Sequence, residues 1–200
     1  MAHRPPREDV GYVRESPEDF WGALREVWFA PVRFFRGLDP RGGILRPALF
    51  ASVILYLDLL LEAVLQLLWL REFNYGLIYA PFLGLVVAIV LAPLLVAGLA
   101  VLVLIILGGG TLSRGGFFPL FRSLCYASGI GIALFIPFVP LLAIPYGAFV
   151  ATVAVRETVN VGWARAAAAT LIPLGAVLLT ILALLGPNEA AGFLVNPPGS

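Results

Sequence analysis

Two carboxylates lie inside an otherwise apolar stretch of the sequence. Residues 52–70, SVILYLDLLLEAVLQLLWL, contain Asp58 and, one helical turn later, Glu62. Side chains at this spacing share one face of a helix. An acid at the centre of a membrane helix costs about 2.5–3.5 kcal/mol to insert. The pair is therefore protonated and hydrogen-bonded, or binds a cation such as H⁺ or Na⁺, or meets a partner from a second protein chain.

The composition places these acids in a membrane protein. The chain has 200 residues, of which 60% are hydrophobic and 12% charged, and its mean hydropathy is +0.97. A soluble domain is about half apolar and a quarter charged. The net charge of +1 gives no argument for binding nucleic acid. All basic residues are Arg, and Ala, Gly, Leu and Pro are abundant, which indicates a GC-rich prokaryotic genome and a prokaryotic plasma (inner) membrane.

Five apolar stretches are long enough to cross a bilayer, which predicts an all-α, polytopic fold. They lie near residues 44–70, 77–107, 117–136, 139–155 and 166–185. About 20 residues of helix cross a hydrocarbon core of about 30 Å. The second stretch exceeds this length, so we expect it to tilt, to protrude, or to kink at Pro81 or Pro93. Only PFVP separates the third and fourth stretches, so a re-entrant hairpin is the alternative to two crossings there.

The placement of arginine predicts the orientation. Eight arginines lie at or before Arg46, and only Arg71 falls on the opposite side of the predicted membrane. The connections on the first side are flanked by Arg114, Arg122, Arg156 and Arg165. Because basic residues are retained in the cytoplasm, a five-span chain has its N-terminus inside and its C-terminus outside. We expect a transmembrane domain over 44–186, between flexible tails at 1–17 and 187–200.

The segment before the first span, residues 18–43, mixes aromatic residues with arginine at helical spacing. Such a pattern is typical of an amphipathic helix in the headgroup plane. Pro31 interrupts the pattern, which then continues. A cytoplasmic helix packed on the bundle is the alternative. The residues expected at the membrane interface are Trp21, Trp28, Arg33, Phe34 and Phe35, and Arg156 at the inner end of the fourth span is a further interfacial anchor.

The predicted partners of the acids are neutral, because every arginine lies near the end of a span. The hydroxyl side chains predicted at the nearest depths are Tyr146, Tyr126, Ser128 and Thr180. Small residues and three prolines in the third and fourth spans permit close packing and an irregular backbone. Such a backbone is tolerated at depth where protein or water covers it, so we expect a cavity here. The candidate proton, cation or oligomer site comprises Asp58, Glu62, Tyr146 and Tyr126.

The sequence offers no residue set typical of an enzyme or a cofactor site. The glycine-rich LGGGTLSRGG, residues 107–116, lacks the lysine of a phosphate-binding loop. His3 is the sole histidine and lies in a terminal tail, and Cys125 is the sole cysteine. One cysteine excludes an intramolecular disulfide, and in an apolar helix it packs as a small hydrophobic residue. We therefore expect no catalytic residue, no metal, no cofactor and no enzymatic activity.

Four short elements follow one another along the chain. They are Pro-x-x-Phe-Phe at 31–35, Arg-x-x-x-Tyr-Ala at 122–127, a proline-rich turn at 137–145 and an alanine-rich helix start at 165–169. In this order they resemble the Yip1 domain family of five-span membrane proteins, and the resemblance covers roughly residues 20–186. It implies an integral membrane protein without known catalytic residues.

Eukaryotic members of that family are associated with vesicle trafficking and with Rab-type GTPases. That role depends partly on a longer cytosolic N-terminal region than this sequence has. The eukaryotic Asp-Leu-x-Gly-Pro element is also missing, because Asp58 and Leu59 are followed by Leu60 and Leu61. The trafficking role is therefore not carried over to this chain.

Two functions remain open at this point. The first is a non-enzymatic scaffold that organises the bilayer, or recruits a protein partner on the cytoplasmic side, through its amphipathic segment and inside loops. The second is a small proton- or cation-handling transporter or channel built on Asp58 and Glu62. Five spans do not divide into two equal repeats, which favours the first function. The bilayer is the expected partner in both, and a second copy of the chain is a further one.

Overall fold

The computed structural model describes residues 19–39, 41–70, 75–108, 116–134 and 139–185. Within these ranges the chain is folded into helices, as the sequence predicts. The α-helices are α1 (Phe20–Phe29), α2 (Pro31–Gly37), α3 (Leu45–Leu70), α4 (Tyr75–Ile106), α5 (Phe117–Ala127), α6 (Pro140–Val159) and α7 (Trp163–Leu185). The end of α5 continues directly into a 3-10 helix, Ser128–Ala133.

Three helices are long and apolar enough to cross a membrane, judged by length and composition over the described residues. The candidate spans are Leu45–Leu65 in α3, Pro81–Ile106 in α4 and Leu141–Val159 in α6. The segment Phe117–Ala133 is a shorter apolar helix. A protein with such helices belongs in a membrane, which confirms the prediction of a membrane protein from the composition.

Helix α4 is continuous over 32 residues, and Pro81 and Pro93 both lie inside it. Such a helix extends about 48 Å, well beyond a hydrocarbon core of about 30 Å. Part of α4 must therefore tilt or protrude, as its length predicts.

The core of the bundle surrounds α5 and the C-terminal half of α6. Every residue of α5 from Leu120 to Ala127 is buried, and so is every residue from 150 to 155 in α6. Helix α3 contributes one buried stripe, formed by Pro47, Phe50, Ala51 and Ile54. This spacing of three and four residues is that of an amphipathic helix facing a core.

Helices α1 and α2 pack on this core as a pair, which we call the N-terminal hairpin (residues 20–37). Asp19 caps α1 by accepting a hydrogen bond from the Trp21 amide at 3.4 Å, and Pro31 begins α2. Proline suits the first turn of a helix because its missing N–H is not needed there. The buried side chains of the hairpin are Ala23, Val27, Pro31, Phe34 and Phe35. The inner face of the hairpin therefore contacts protein, while the position of its outer face in the headgroup plane stays a prediction.

Gly129 lies where the hairpin, α3 and the 3-10 helix meet, and it generates a testable prediction. A Cβ at this position would lie 3.1 Å from Leu24 Cδ1 and 3.1 Å from Phe50 Cζ. We expect Gly129→Ala to lower the free energy of unfolding by about 1–3 kcal/mol, because both neighbours must move. Thermal unfolding of the purified protein in detergent measures the change.

The matched control is Gly175→Ala in α7, where a Cβ would have no neighbour within 4 Å. Because alanine is the better helix former, this variant should be neutral or more stable by up to about 1 kcal/mol. Equal destabilisation by both substitutions would contradict the close packing at Gly129.

Candidate functional site

Asp58 lies one turn beyond Ile54, where it continues the buried stripe of α3. Its side chain is half-buried, and the atom Oδ1 is fully buried. Glu62, one further turn along, is exposed in the single chain. Asp58 therefore faces the bundle as expected, whereas Glu62 lies at its edge.

The described part of the α5–α6 hairpin, residues 117–134 and 139–159, lies beside the first half of α3. A Cβ at Gly131, in the 3-10 helix, would lie 3.6 Å from Ile54 Cγ2. Asp58 is about 6 Å further along the axis of α3. The described part of the α5–α6 hairpin therefore ends near the level of Asp58, and α3 continues for three more turns beyond it.

The hydroxyl groups proposed as partners of the acids donate to backbone carbonyl groups. The Tyr146 hydroxyl donates to the Trp28 carbonyl oxygen. Ser128 Oγ donates to the Cys125 carbonyl at 2.7 Å, and Thr180 Oγ1 to the Ala176 carbonyl at 2.8 Å. With their hydrogens used in this way, these hydroxyls can only accept from a protonated acid.

Tyr126 belongs to an aromatic cluster between α5, α3 and the N-terminal hairpin. Its ring centroid lies 5.2 Å from that of Phe34 and 5.1 Å from that of Phe50. Phe34 also makes an edge-to-face contact with Phe35, with centroids 5.1 Å apart. The structure thus places both tyrosines at the N-terminal hairpin. Their partnership with Asp58 and Glu62 stays a prediction.

Trp28 joins the N-terminal hairpin to two other elements through its indole and its backbone. Its Nε1–H donates to the Gly129 carbonyl in the 3-10 helix at 3.1 Å. Its own carbonyl accepts from Tyr146 on α6. Each such hydrogen bond contributes about 0.5–1.5 kcal/mol, and a buried group left without its partner costs more. These contacts hold the hairpin in one position on the bundle.

A charged cluster lies at the C-terminal end of α6. Glu157, whose side chain is 11% exposed, accepts from Arg156 Nη1 at 2.7 Å and from Arg36 Nε at 3.2 Å. The Arg156 guanidinium stacks over the Trp163 ring, 4.4 Å from its centroid. The Arg36 side chain is 67% exposed, so its ion pair contributes about 0–1 kcal/mol. Arg156 thus ties α6 to α7, and its role as a membrane anchor stays a prediction.

Arg122 is the residue that sequence reasoning missed. Its side chain is 2% exposed, although the sequence analysis placed it at the end of a span. The atom Nη2 donates to the Asp39 carbonyl, and a Cβ at Gly42 would lie 2.5 Å from this nitrogen. The available signal was the spacing of Arg122 and Tyr126, which places both on one face of α5. Both residues are buried, as is every residue of α5 from Leu120 to Ala127.

Within the described ranges, no group of three or more His, Cys, Asp or Glu side chains could hold a metal ion. Some polar residues of the bundle link two helices, whereas others, such as Thr152 and Thr170, donate to a carbonyl of their own helix. Ser123 and Thr158, for example, share a hydrogen bond of 2.6 Å between α5 and α6.

The sequence model of the Yip1 domain matches residues 25–185. The chain belongs to the Yip1 domain family. This confirms the resemblance seen in the sequence, and the matched range runs from within α1 to the end of α7. The N-terminal hairpin is therefore mostly inside the Yip1 domain. No curated protein and no solved structure matches the chain.

The contact between Tyr146 and Trp28 generates a prediction about the N-terminal hairpin. Tyr146→Phe keeps the ring but removes the donor to the Trp28 carbonyl. We expect a loss of about 1 kcal/mol and faster hydrogen exchange in α1, because the hairpin loses one of its attachments. Hydrogen–deuterium exchange read by mass spectrometry measures this.

Tyr126→Phe is the matched control. Among the described residues the ring of Tyr126 contacts Phe34 and Phe50, and its hydroxyl group makes no hydrogen bond. Its substitution should leave exchange in α1 unchanged. Equal exchange in the wild type and Tyr146→Phe would show that this hydrogen bond does not hold the hairpin.

Proposed function

We propose that this Yip1 domain protein is a non-enzymatic scaffold of a prokaryotic plasma membrane. It organises the bilayer, or recruits a protein partner on the cytoplasmic side, through the outer face of the N-terminal hairpin. One observation carries the proposal. The inner face of the hairpin is attached to the bundle, while its outer face exposes Trp21 by 64% and Phe29 by 81%. Three arginines, Arg25, Arg33 and Arg36, are exposed beside them.

Aromatic residues next to arginine are the chemistry of a membrane interface. They are also enriched in the centres of protein interfaces. A rigidly held surface of this kind differs from a flexible tail, because its aromatic and basic groups keep a fixed spacing. That supports a scaffold, whose effect comes from position rather than from chemical turnover.

We propose five crossings, with the N-terminus in the cytoplasm and the C-terminus outside. Two lengths support this. The α5 segment with its 3-10 helix extends about 28 Å, because a 3-10 helix rises about 2 Å per residue. Helix α7, with 23 residues, extends about 34 Å. One observation points instead to a re-entrant hairpin of α5 and α6: the described part of this hairpin ends near the level of Asp58, before the end of α3.

Cysteine labelling distinguishes the two topologies. In a Cys125→Ala background, single cysteines replace Ala2, Phe138, Gly162 and Ser200. In right-side-out membrane vesicles, an impermeant maleimide should label Phe138→Cys and Ser200→Cys, and the other two only after permeabilisation. If Phe138→Cys alone were protected from the maleimide, α5 and α6 would form a re-entrant hairpin and not two crossings. Protection of Ser200→Cys would contradict the orientation.

The bilayer-organising role is tested in vesicles of anionic and zwitterionic phospholipid. With increasing wild-type protein, the mean vesicle diameter seen by electron cryomicroscopy should fall. Trp21→Ala/Phe29→Ala should reduce the effect by at least about half, because the outer face then loses most of its buried area in lipid.

Phe82→Ala/Phe118→Ala is the control, since these two rings are also exposed but lie on α4 and α5. The control should behave as the wild type. An unchanged vesicle diameter at every ratio of wild-type protein to lipid would contradict a bilayer-organising role and leave partner recruitment as the form of scaffold to test.

The second candidate is a proton- or cation-handling transporter or channel, and the position of Asp58 favours it. A half-buried carboxylate with one fully buried oxygen lies on the core-facing stripe of α3, at the level where the described part of the α5–α6 hairpin ends. A second copy of the chain that covers Glu62 is the oligomer form of the same site. Ionisable groups at such depth are often functional.

Flux measurements separate this candidate from the scaffold. Vesicles loaded with a pH indicator report proton entry, with and without a sodium gradient. Asp58→Asn/Glu62→Gln should abolish a flux that the wild type shows. The matched control is Asp19→Asn, because an amide caps a helix as well as a carboxylate does. Absence of flux in the wild type would contradict the transporter candidate.

A further inference from the structure

Arg122 has more hydrogen-bond donors than the described residues satisfy. A guanidinium carries five N–H donors and no acceptor. Nη2 donates to the Asp39 carbonyl, whereas Nε and Nη1 are fully buried and no described residue accepts from them. A buried cation with unmatched donors is strongly unfavourable. The site therefore calls for an acceptor, preferably an anionic one.

The guanidinium lies against the turn that leads into α3. The atom Nη2 would be 2.5 Å, and Cζ 3.1 Å, from a Cβ at Gly42. At the neighbouring Gly43 a Cβ would have nothing within 4 Å. The absence of a side chain at Gly42 is what allows the guanidinium to reach the backbone of the turn.

The same turn leads into the 26-residue helix α3, whose first free amides are those of Leu45 and Arg46, because Pro47 has no N–H and the Ala48 amide donates to the Ile44 carbonyl. The first amides of a helix have no intrahelical acceptor and carry the positive end of the helix dipole. Two further arginines, Arg41 and Arg46, flank the turn in sequence and are exposed. One carboxylate, that of Asp39, is present, and it accepts from the Arg41 amide at 2.8 Å. Three guanidinium groups against one carboxylate leave the region positive.

We propose that Arg122, the turn at Gly42 and the N-terminus of α3 form a binding site for a phosphate-type anion. Guanidinium and phosphate form charge-assisted hydrogen bonds, often in pairs, and helix N-termini favour the same anions. The phosphate comes from a phospholipid headgroup or from a soluble phosphate ester. This site is separate from Asp58 and does not depend on the proposed function.

The ligand arm of the test uses the full-length wild-type protein, delipidated in neutral detergent. Thermal unfolding is followed while inorganic phosphate, phosphatidylglycerol or a phosphate-free galactolipid is added. A ligand that binds the folded state and not the unfolded one raises the melting temperature, and the rise grows with the logarithm of the ligand concentration once that exceeds Kd. Phosphatidylglycerol should raise it and the galactolipid should not. A response to inorganic phosphate as well identifies a site open to soluble anions, and a response to phosphatidylglycerol alone identifies a headgroup site.

The variant arm uses two adjacent glycines. Gly42→Ala places a methyl group where the guanidinium now lies, and we expect the apparent affinity for the phosphate-bearing ligand to fall by at least about tenfold. Gly43→Ala is the matched control and should keep the wild-type affinity. Arg122→Gln should abolish the response, and Gly42→Ala provides the answer if the Arg122 variant does not fold.

Two results would overturn the proposal. One is a wild-type protein whose melting temperature responds to no phosphate-bearing ligand, or equally to the galactolipid. The other is an affinity that Gly42→Ala leaves unchanged, or that Gly42→Ala and Gly43→Ala lower equally.

Discussion

The fold depends on supplying hydrogen-bond partners to polar groups in an apolar bundle, and Trp28 is where that constraint joins the most elements. Its indole donates to Gly129 and its carbonyl accepts from Tyr146. One residue of α1 thereby fixes the hairpin against both halves of the α5–α6 pair. Lipid tails offer no hydrogen-bond partner, so these groups would be left unsatisfied if the hairpin moved into the hydrocarbon.

The same constraint explains how the polar residues of this Yip1 domain are distributed. Arg122 and Ser123 on α5, and Glu157 and Thr158 near the C-terminal end of α6, lie where helices and connections come close enough to pair them. The C-terminal half of α3 contains Asp58 and Glu62 instead, near the level where the described part of the α5–α6 hairpin ends.

Much of the fold could be predicted from the sequence, because hydropathy and helical period are properties of single segments. The first span, predicted at 44–70, is α3 at Leu45–Leu70, and α5 begins at Phe117 as predicted. The family could be recognised because its short elements occur in order.

The contacts could not be predicted, because they join segments far apart in the chain. Counting arginines assigns each one to a side of the membrane, but says nothing about whether Arg122 turns inward to Asp39. Depth along the spans predicts Tyr146 as a partner of Asp58. Depth alone does not show that the segment before the first span also packs beside Tyr146. That segment is where the Tyr146 hydroxyl donates. Similarly, the aromatic pattern of α2 was equally compatible with lipid and with the rings of Tyr126 and Phe50.

The attachment of Trp28 also sets an order of events during synthesis. Its acceptor Gly129 is 101 residues later in the chain, and its donor Tyr146 is 118 residues later. At about 5–20 residues per second, the ribosome needs on the order of 5–20 s to make them. For that interval the hairpin has α3 as a neighbour, through the contact of Phe20 with Phe50, but lacks the two groups that later bind Trp28. Full attachment of the hairpin therefore waits until α6 has been made.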